Sequence, residues 1–291
     1  MSLSNEKVVE LLEMELQALK REGVCSLPIS RDSILSLKNL LSELDESDNI
    51  FTSLKQSSIG CNEVYKNPMT TKQTLPSNPK VILPEGGKLE KYEWLKHKVL
   101  NCEECKKHVR PGKKIVFGIG NVDADILFCG EAPGADEETL GEPFVGRAGQ
   151  LLTKIILAMG VSRNDVYIAN IMNWRPEMPT TVGNRPPTQE EMEFCLPYLL
   201  AQIEIVQPKV IIALGATAVS GLLGHDPTRR MRDVRGKWAT VANTPLMVTF
   251  HPSYLLRNNT KAAKRTVWED MLEVMKRLNM AISEKQQNYF L

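Results

Sequence analysis

The sequence predicts an α/β protein: a three-layer sandwich with a central, mainly parallel four-stranded sheet, plus an N-terminal helical extension. Three observations lead to this prediction. Strand-length and helix-length apolar segments alternate from about Lys91 onward. The run Val210–Leu214 is apolar throughout, as is typical of a parallel strand covered on both faces. Gly160 follows a periodic apolar segment and is a natural helix end.

The first 90 residues differ in composition from the rest. Apolar residues fall at helical spacing in residues 4–19 and 34–44, which predicts two helices within an arm spanning residues 1–44. Residues 45–90 are rich in small, polar and turn-forming residues without periodicity and predict a disordered linker. The α/β domain is then expected over residues 91–291. The arm is either an accessory hairpin or a docking site for a protein partner.

The elements of the α/β domain locate its expected site. Sheets of this kind bind ligands beyond the carboxyl ends of their strands, which selects the segments after Cys129, Asn170, Leu214 and Phe250. The predicted strands are 114–117, 125–129, 166–170, 210–214 and 246–250, and the predicted helices are 148–159, 190–206, 217–223 and 262–278.

The composition narrows the functional classes. Hydrophobic residues make up 42% and charged residues 24% of the chain, which excludes a collagen-like or fully disordered protein. There is no apolar run of the roughly 18 residues that a membrane span needs, and no basic start leading into an apolar segment, so a cytoplasmic protein is expected. The net charge is +1, so any binding of nucleic acid must use a local basic patch.

Two of the six cysteines, Cys102 and Cys105, form a CxxC pair. Structural disulfides are rare in cytosolic proteins. The pair therefore indicates a metal or cluster site, or a redox pair.

Small and turn-forming residues follow the predicted strand 125–129 directly. Gly130–Gly134 holds two glycines and a proline, which bring the backbone close to a ligand. An acidic stretch follows, and then Phe144, which lies among turn residues where a core aromatic is less expected. Phe144 is either a stacking surface for a flat ligand or a hydrophobic plug of a strand-to-helix turn.

Several separated motifs resemble one known family. Residues 130–152 read GEAPGADEETLGEPFVGRAGQLL, and residues 250–257 read FHPSYLLR. With Cys102–Cys105, Asn184–Thr188 and Pro208–Gly215 they resemble the uracil-DNA glycosylase superfamily, in its family 4 (iron–sulfur, thermophile-type) branch. The resemblance covers about Asn101 to Leu278. It implies a DNA repair hydrolase that flips uracil out of DNA and hydrolyses the N-glycosidic bond, leaving an abasic site.

The resemblance implies roles for the pocket residues. Phe144 stacks on uracil, Asn170 reads its N3–H and O4, and His251 donates a hydrogen bond to O2 as negative charge grows on the leaving base. Glu131 and Ala132 line the pocket. The best-known branch of the superfamily carries an aspartate where this sequence has Ala132, so Glu137 and the Asn170 amide are the candidates for positioning water.

The motif at residues 250–257, which contains His251, also carries the expected DNA contacts. By the resemblance, Ser253 and Arg257 contact the DNA backbone, and Leu255 is the wedge that fills the space left by the extruded nucleotide. Basic residues at 229–237 and 261–265 are either further DNA contacts or a solvated charged face. Uracil-containing DNA is thus the expected partner, and we expect a monomer because the fold does not require a second subunit.

Family 4 proteins hold a [4Fe–4S] cluster on four cysteines. Cys102, Cys105 and Cys195 match three of the positions, but the remaining position is Trp174. An indole cannot ligate iron. Three thiolates with an external fourth ligand, recruitment of Cys61, and a cluster-free site filled by Trp174 are the alternatives. The chemistry itself requires no cluster.

A non-catalytic module that binds uracil or damaged DNA with the same pocket is the alternative function. A nucleotide-binding α/β protein has little support, because the phosphate-binding glycine motifs GxGxxG and GxxxxGK[ST] are absent from the sequence.

Overall fold

A computed structural model describes Leu75, residues 78–177 and residues 184–291. The predicted N-terminal arm and most of the predicted linker lie outside the described residues.

The α/β domain begins before residue 91. Helix α1 spans Lys88–Leu100 and buries Tyr92, Leu95 and Val99. Upstream of it, partly buried hydrophobic residues pack against the same core: Leu75, Val81 and Leu83. The last part of the segment predicted as a linker therefore belongs to the packed domain.

The sheet has six strands in the order β1-β3-β2-β4-β6-β5 among the residues described. The inner strands β3, β2, β4 and β6 pair in parallel, and the edge strands β1 and β5 pair antiparallel to their neighbours. The predicted α/β class is confirmed, whereas the predicted number of four strands is wrong. The strands are β1 Ile119–Gly120, β2 Ile126–Gly130, β3 Tyr167–Asn170, β4 Val210–Leu214, β5 Trp238–Val241 and β6 Thr244–Thr249.

The segment 114–117, predicted as a strand, lies outside the sheet. Its residues Ile115, Val116 and Phe117 are buried, and the Val116 N–H donates to the Asn173 carbonyl at 2.8 Å. Because these side chains are buried, the segment is apolar although it pairs with no strand of the sheet that the structure describes.

The four predicted helices are present, and each of their ends lies within one residue of the prediction. The helices missed from the sequence are α1 and several of four to six residues, which are too short for a periodic pattern. The remaining helices are α2 Glu103–Lys107, α3 Ala135–Leu140, α4 Arg147–Ala158, α5 Gln189–Val206, α6 Ala216–Leu223, α7 Met231–Val234, α8 Pro252–Arg257, α9 Lys261–Arg277 and α10 Glu284–Gln287.

Helices cover both faces of the sheet. Along β2, Leu127 and Cys129 belong to one hydrophobic cluster that includes residues of α1, α5 and α6. Ile126 and Phe128 belong to a second cluster with residues of α4 and α9. Successive side chains of the strand thus point to opposite faces of the sheet, and helices pack on each face to give three layers. The ends of the strands are not covered by these helices. Among the described residues there is no helix long and apolar enough to cross a membrane.

Candidate active site

A cavity of ≈ 700 Å³ lies at the carboxyl ends of the inner strands. Each of the four selected segments contributes to it, as the strand-end rule predicts. Asn170 at the end of β3 and residues that follow β2, β4 and β6 meet Phe144 there. The predicted site residues among its lining are Glu131, Ala132, Glu137, Phe144, Asn170, His251, Ser253 and Arg257.

Phe144 is held in an unusual backbone conformation. Its φ is 55°, in the left-handed region that non-glycine residues rarely adopt. The side chain is buried, and its ring centroid lies 5.7 Å from that of His251 with a tilt of 34° between the planes. A Cβ on Gly149 of α4 would overlap the Phe144 backbone, so the glycine permits this close approach. The surrounding structure thus fixes one face of the cavity as an aromatic ring.

Glu137 fastens the loop that carries Phe144. One carboxylate oxygen accepts the N–H groups of Val145 at 3.1 Å and Gly146 at 3.0 Å, and the other accepts that of Gly134 at 3.1 Å. Both oxygens are therefore engaged with the backbone. The structure gives this side chain a role in holding the loop, and its role in positioning water stays a prediction.

Asn170 is the last residue of β3 and is 7% exposed. Its Oδ1 is buried without a hydrogen-bond partner in the described part of the chain. Its neighbour in the β2–β3 register is Gly130, where a Cβ would collide with both Asn170 Oδ1 and the Phe144 ring. The glycine therefore lets the amide and the ring come together. An unpaired buried oxygen costs about 1–3 kcal/mol, so the amide is set to receive a donor from a ligand.

His251 follows β6 and caps the N-terminus of α8. Its Nδ1 accepts the Ser253 N–H at 3.1 Å and lies 2.8 Å from the Ser253 hydroxyl oxygen. Because Nδ1 accepts the backbone N–H, the ring proton of the neutral histidine resides on Nε2. Burial, with a smaller effect of the Arg257 guanidinium, lowers the pKa of His251 from 6.5 to about 4. His251 is thus a neutral donor at physiological pH.

Gly215, which directly follows β4, lies against His251. It has a φ of +92°, and a Cβ at this position would come within 2.9 Å of the His251 Cβ. Its N–H donates to the Thr249 carbonyl at 2.9 Å. This contact fixes the end of β6 at Thr249 and hence the position of His251, two residues further on.

Glu131 and Ala132 follow β2 and line the cavity, as predicted. Burial raises the pKa of the Glu131 carboxyl, and a hydrogen bond with Thr217 partly offsets the effect. The cavity is also lined by Thr217, Arg147, Met231 and Tyr254, which were not predicted from the sequence. The strand-end rule could have found Thr217, which closely follows β4.

Leu255 does not present a wedge to solvent. It is 6% exposed and packs with Ala263 and Val267 of α9 in a small satellite cluster. The assignment of Leu255 as the wedge therefore disagrees with the structure, because the buried face of α8 includes this position. Leu256, the next residue, is 39% exposed.

Much of the basic run at 229–237 is paired with acids. Arg230 Nε lies 2.7 Å from Asp233 Oδ2, and Arg235 Nη2 lies 3.0 Å from Asp270 Oδ1. These ion pairs favour an intramolecular role for Arg230 and Arg235 over direct contact with DNA. Arg257 is exposed at the cavity rim, where a backbone phosphate could reach it.

The cysteines predicted as ligands lie in the core that α1 and α5 share. Cys105 and Cys195 are fully buried, and burial raises the pKa of both thiols. Trp174, at the fourth family position, is also fully buried. Within the described ranges, no three His, Cys, Asp or Glu side chains are arranged to hold a metal ion. With three thiols and an indole, the donor set does not fit a four-cysteine cluster.

Comparison with known proteins gives the class of this fold and site. The family model of the uracil DNA glycosylase superfamily matches residues 117–272. The chain belongs to this superfamily.

Its curated relatives define the branch. The chain is 43% identical over 185 residues to the type-4 uracil-DNA glycosylase of Thermotoga maritima, which covers 62% of this chain and 92% of that protein. It is 36% identical over 198 residues to the type-4 enzyme of Saccharolobus solfataricus, covering 66% and 88% of the two chains. The type-5 uracil-DNA glycosylase of Pyrobaculum aerophilum is 30% identical over 173 residues, covering 54% and 72%. Within the superfamily, the chain is thus a member of the type-4 family.

Proposed function

We propose that this protein is a uracil-DNA glycosylase: it removes uracil from DNA by hydrolysing the N-glycosidic bond and leaves an abasic site for repair. The observation that carries the proposal is the convergence of Phe144, Asn170 and His251 in one cavity. A base inside a duplex cannot reach such a cavity, so the nucleotide must first be extruded.

The cavity is built to recognise a flat pyrimidine. The Phe144 ring offers a stacking face, and the unpaired Asn170 Oδ1 offers an acceptor for the uracil N3–H. The amide nitrogen then faces O4. Cytosine presents an acceptor at N3 and a donor at its amino group, so the same amide orientation opposes it.

His251 supports the departure of the base. As the glycosidic bond breaks, the bonding electron pair stays with uracil, and negative charge develops on its O2. The Nε2–H of the neutral imidazole donates to this oxygen, in a site that already holds the ring in place through Ser253. A preorganised donor of this kind is worth about 2.7–4 kcal/mol.

Water attack requires little help from a base. The sugar left behind resembles an oxocarbenium ion, which reacts with weak nucleophiles. Ala132 cannot act as a base, and burial favours the protonated form of Glu131. Asn170 and Glu137, both in the cavity wall, remain the proposed groups for orienting water.

DNA binds across the mouth of the cavity in this proposal. Arg257 contacts a phosphate next to the extruded nucleotide, and Ser253 lies beside it on α8. The exposed Leu256 is better placed than Leu255 to enter the duplex. We expect the enzyme to act as a monomer in the cytoplasm.

An oligonucleotide assay tests the proposal. A single-stranded and a duplex oligonucleotide with one uracil are incubated with the protein, and abasic sites are then cleaved with alkali. We expect strand scission with the wild type, and a loss of about 10²–10³-fold in rate with His251→Ala. His225→Ala is the matched control, because His225 is exposed outside the cavity. Retention of the oligonucleotide in a gel without scission would instead support a binding module.

A further inference from the structure

Three segments of the chain carry the positions that match the family's cluster ligands. They are residues 102–108, which include α2; the loop 172–175 after β3; and residues 194–198 of α5. A cluster held by four cysteines would connect these three segments through its iron atoms. In this structure, direct side-chain contacts connect each pair of segments.

Trp174 makes two of the three connections. Its ring stacks on that of His108, with centroids 4.8 Å apart and planes 13° from parallel. On another side it contacts Phe194, with a centroid distance of 6.0 Å. The loop is thereby joined both to the end of α2 and to α5.

Cys102 and Tyr198 make the third connection. The Tyr198 hydroxyl donates to the Cys102 sulfur at 3.4 Å, which joins the start of α2 directly to α5. Cys105, Trp174 and Cys195 are fully buried in the same hydrophobic cluster. The indole is one of the largest fully buried side chains of the described chain.

We propose that this protein holds no iron–sulfur cluster and that Trp174 replaces it as the element that joins these three segments. The donor set and the packing support the same conclusion: the fourth ligand position carries a group that cannot bind iron, and that group makes aromatic contacts with both neighbouring segments. The proposal does not depend on the proposed activity, because its tests measure metal content and stability.

The first test is metal content. The full-length protein is purified without oxygen, incubated with ferrous iron, sulfide and a thiol reductant, and desalted. Iron, acid-labile sulfide and visible absorption are then measured. We expect all three at the level of a control in which Cys102, Cys105 and Cys195 are replaced by alanine. Iron and sulfide in stoichiometric amounts in the wild type, lost in that control, would overturn the proposal.

The second test addresses Trp174 itself. We expect Trp174→Ala to lower the thermal unfolding midpoint by several degrees, and Trp174→Phe to recover part of the loss because a ring can still contact His108 and Phe194. Addition of an iron chelator should leave the midpoint of the wild type unchanged. If Trp174→Ala does not fold, Trp174→Phe supplies the measurement against the wild type. A midpoint insensitive to both substitutions, or lowered by the chelator, would show that Trp174 does not have this role.

Discussion

The protonation state of His251 gives the sharpest prediction for the proposed mechanism. With a pKa of about 4, only about one His251 imidazole in a thousand is protonated at pH 7. Protonating the ring at that pH costs about 4 kcal/mol. The neutral ring with its proton on Nε2 is therefore the working form. The single-turnover rate of uracil release should be insensitive to His251 between pH 8 and pH 5, and should change only as the pH approaches 4.

A matched variant isolates this effect. His251→Gln keeps an uncharged N–H donor near the same place but cannot titrate. We expect it to be slower than the wild type at every pH, with a constant ratio of rates from pH 5 to pH 8, measured on a uracil oligonucleotide under single-turnover conditions. An NMR titration of the ring should give a pKa well below 6.5. A wild-type rate that rises as pH falls through 6.5, while that of His251→Gln stays flat, would mean that the imidazolium is the catalyst and would refute the reasoning.

Three further predictions follow from packing and charge. Glu137→Gln replaces one of the two carboxylate oxygens that accept backbone N–H groups of Gly134, Val145 and Gly146 with an NH2 group that cannot accept, so uracil release should slow about tenfold or more; unchanged kinetics would contradict the loop-holding role. Leu256→Ala should slow excision from duplex DNA more than from single strands, whereas Leu255→Ala should lower the free energy of unfolding by about 2–5 kcal/mol; equal effects on both DNA forms would contradict the wedge. Burial raises the pKa of Asp270 from 3.8 to about 6. The folded state therefore keeps this proton to a higher pH than the unfolded state does. As a result, the free energy of unfolding is highest below pH 3.8 and falls by about 3 kcal/mol as the pH rises through 6. Denaturant unfolding of Asp270→Asn should lack this decline, and a decline identical to the wild type would exclude Asp270 as its source.

The inner strands were predictable because their own residues carry the signal. Buried on both faces, β4 is apolar along its whole length, and the structure gives it the predicted bounds. The edge strands were not predictable in the same way. β1 has only two residues, both exposed, and β5 owes its place to a hairpin with positive φ at Ala242 and Asn243. Pairing with a neighbour, rather than local sequence, creates both edges.

The site residues also differ in how directly the sequence predicts their positions. Asn170 and His251 end or follow strands, so the topology of the sheet alone brings them to one edge. The exposure of Leu255 depends instead on how the short helix α8 packs against α9, for which six residues give no clear periodic signal. The contacts of Trp174 likewise arise from segments far apart in the sequence.

The pairing of Gly130 with Asn170 across β2 and β3 has a consequence for fidelity. Side chains of a strand alternate between the two faces of a sheet, so a slip of one residue in this pairing would turn the amide away from the base and remove the gap that the glycine leaves for it. In the proposed mechanism, the backbone pairing of these two core strands therefore sets the position of the amide that would distinguish uracil from cytosine. A substitution that loosens β3 anywhere along its length should relax base selectivity, even where it touches neither the base nor the DNA.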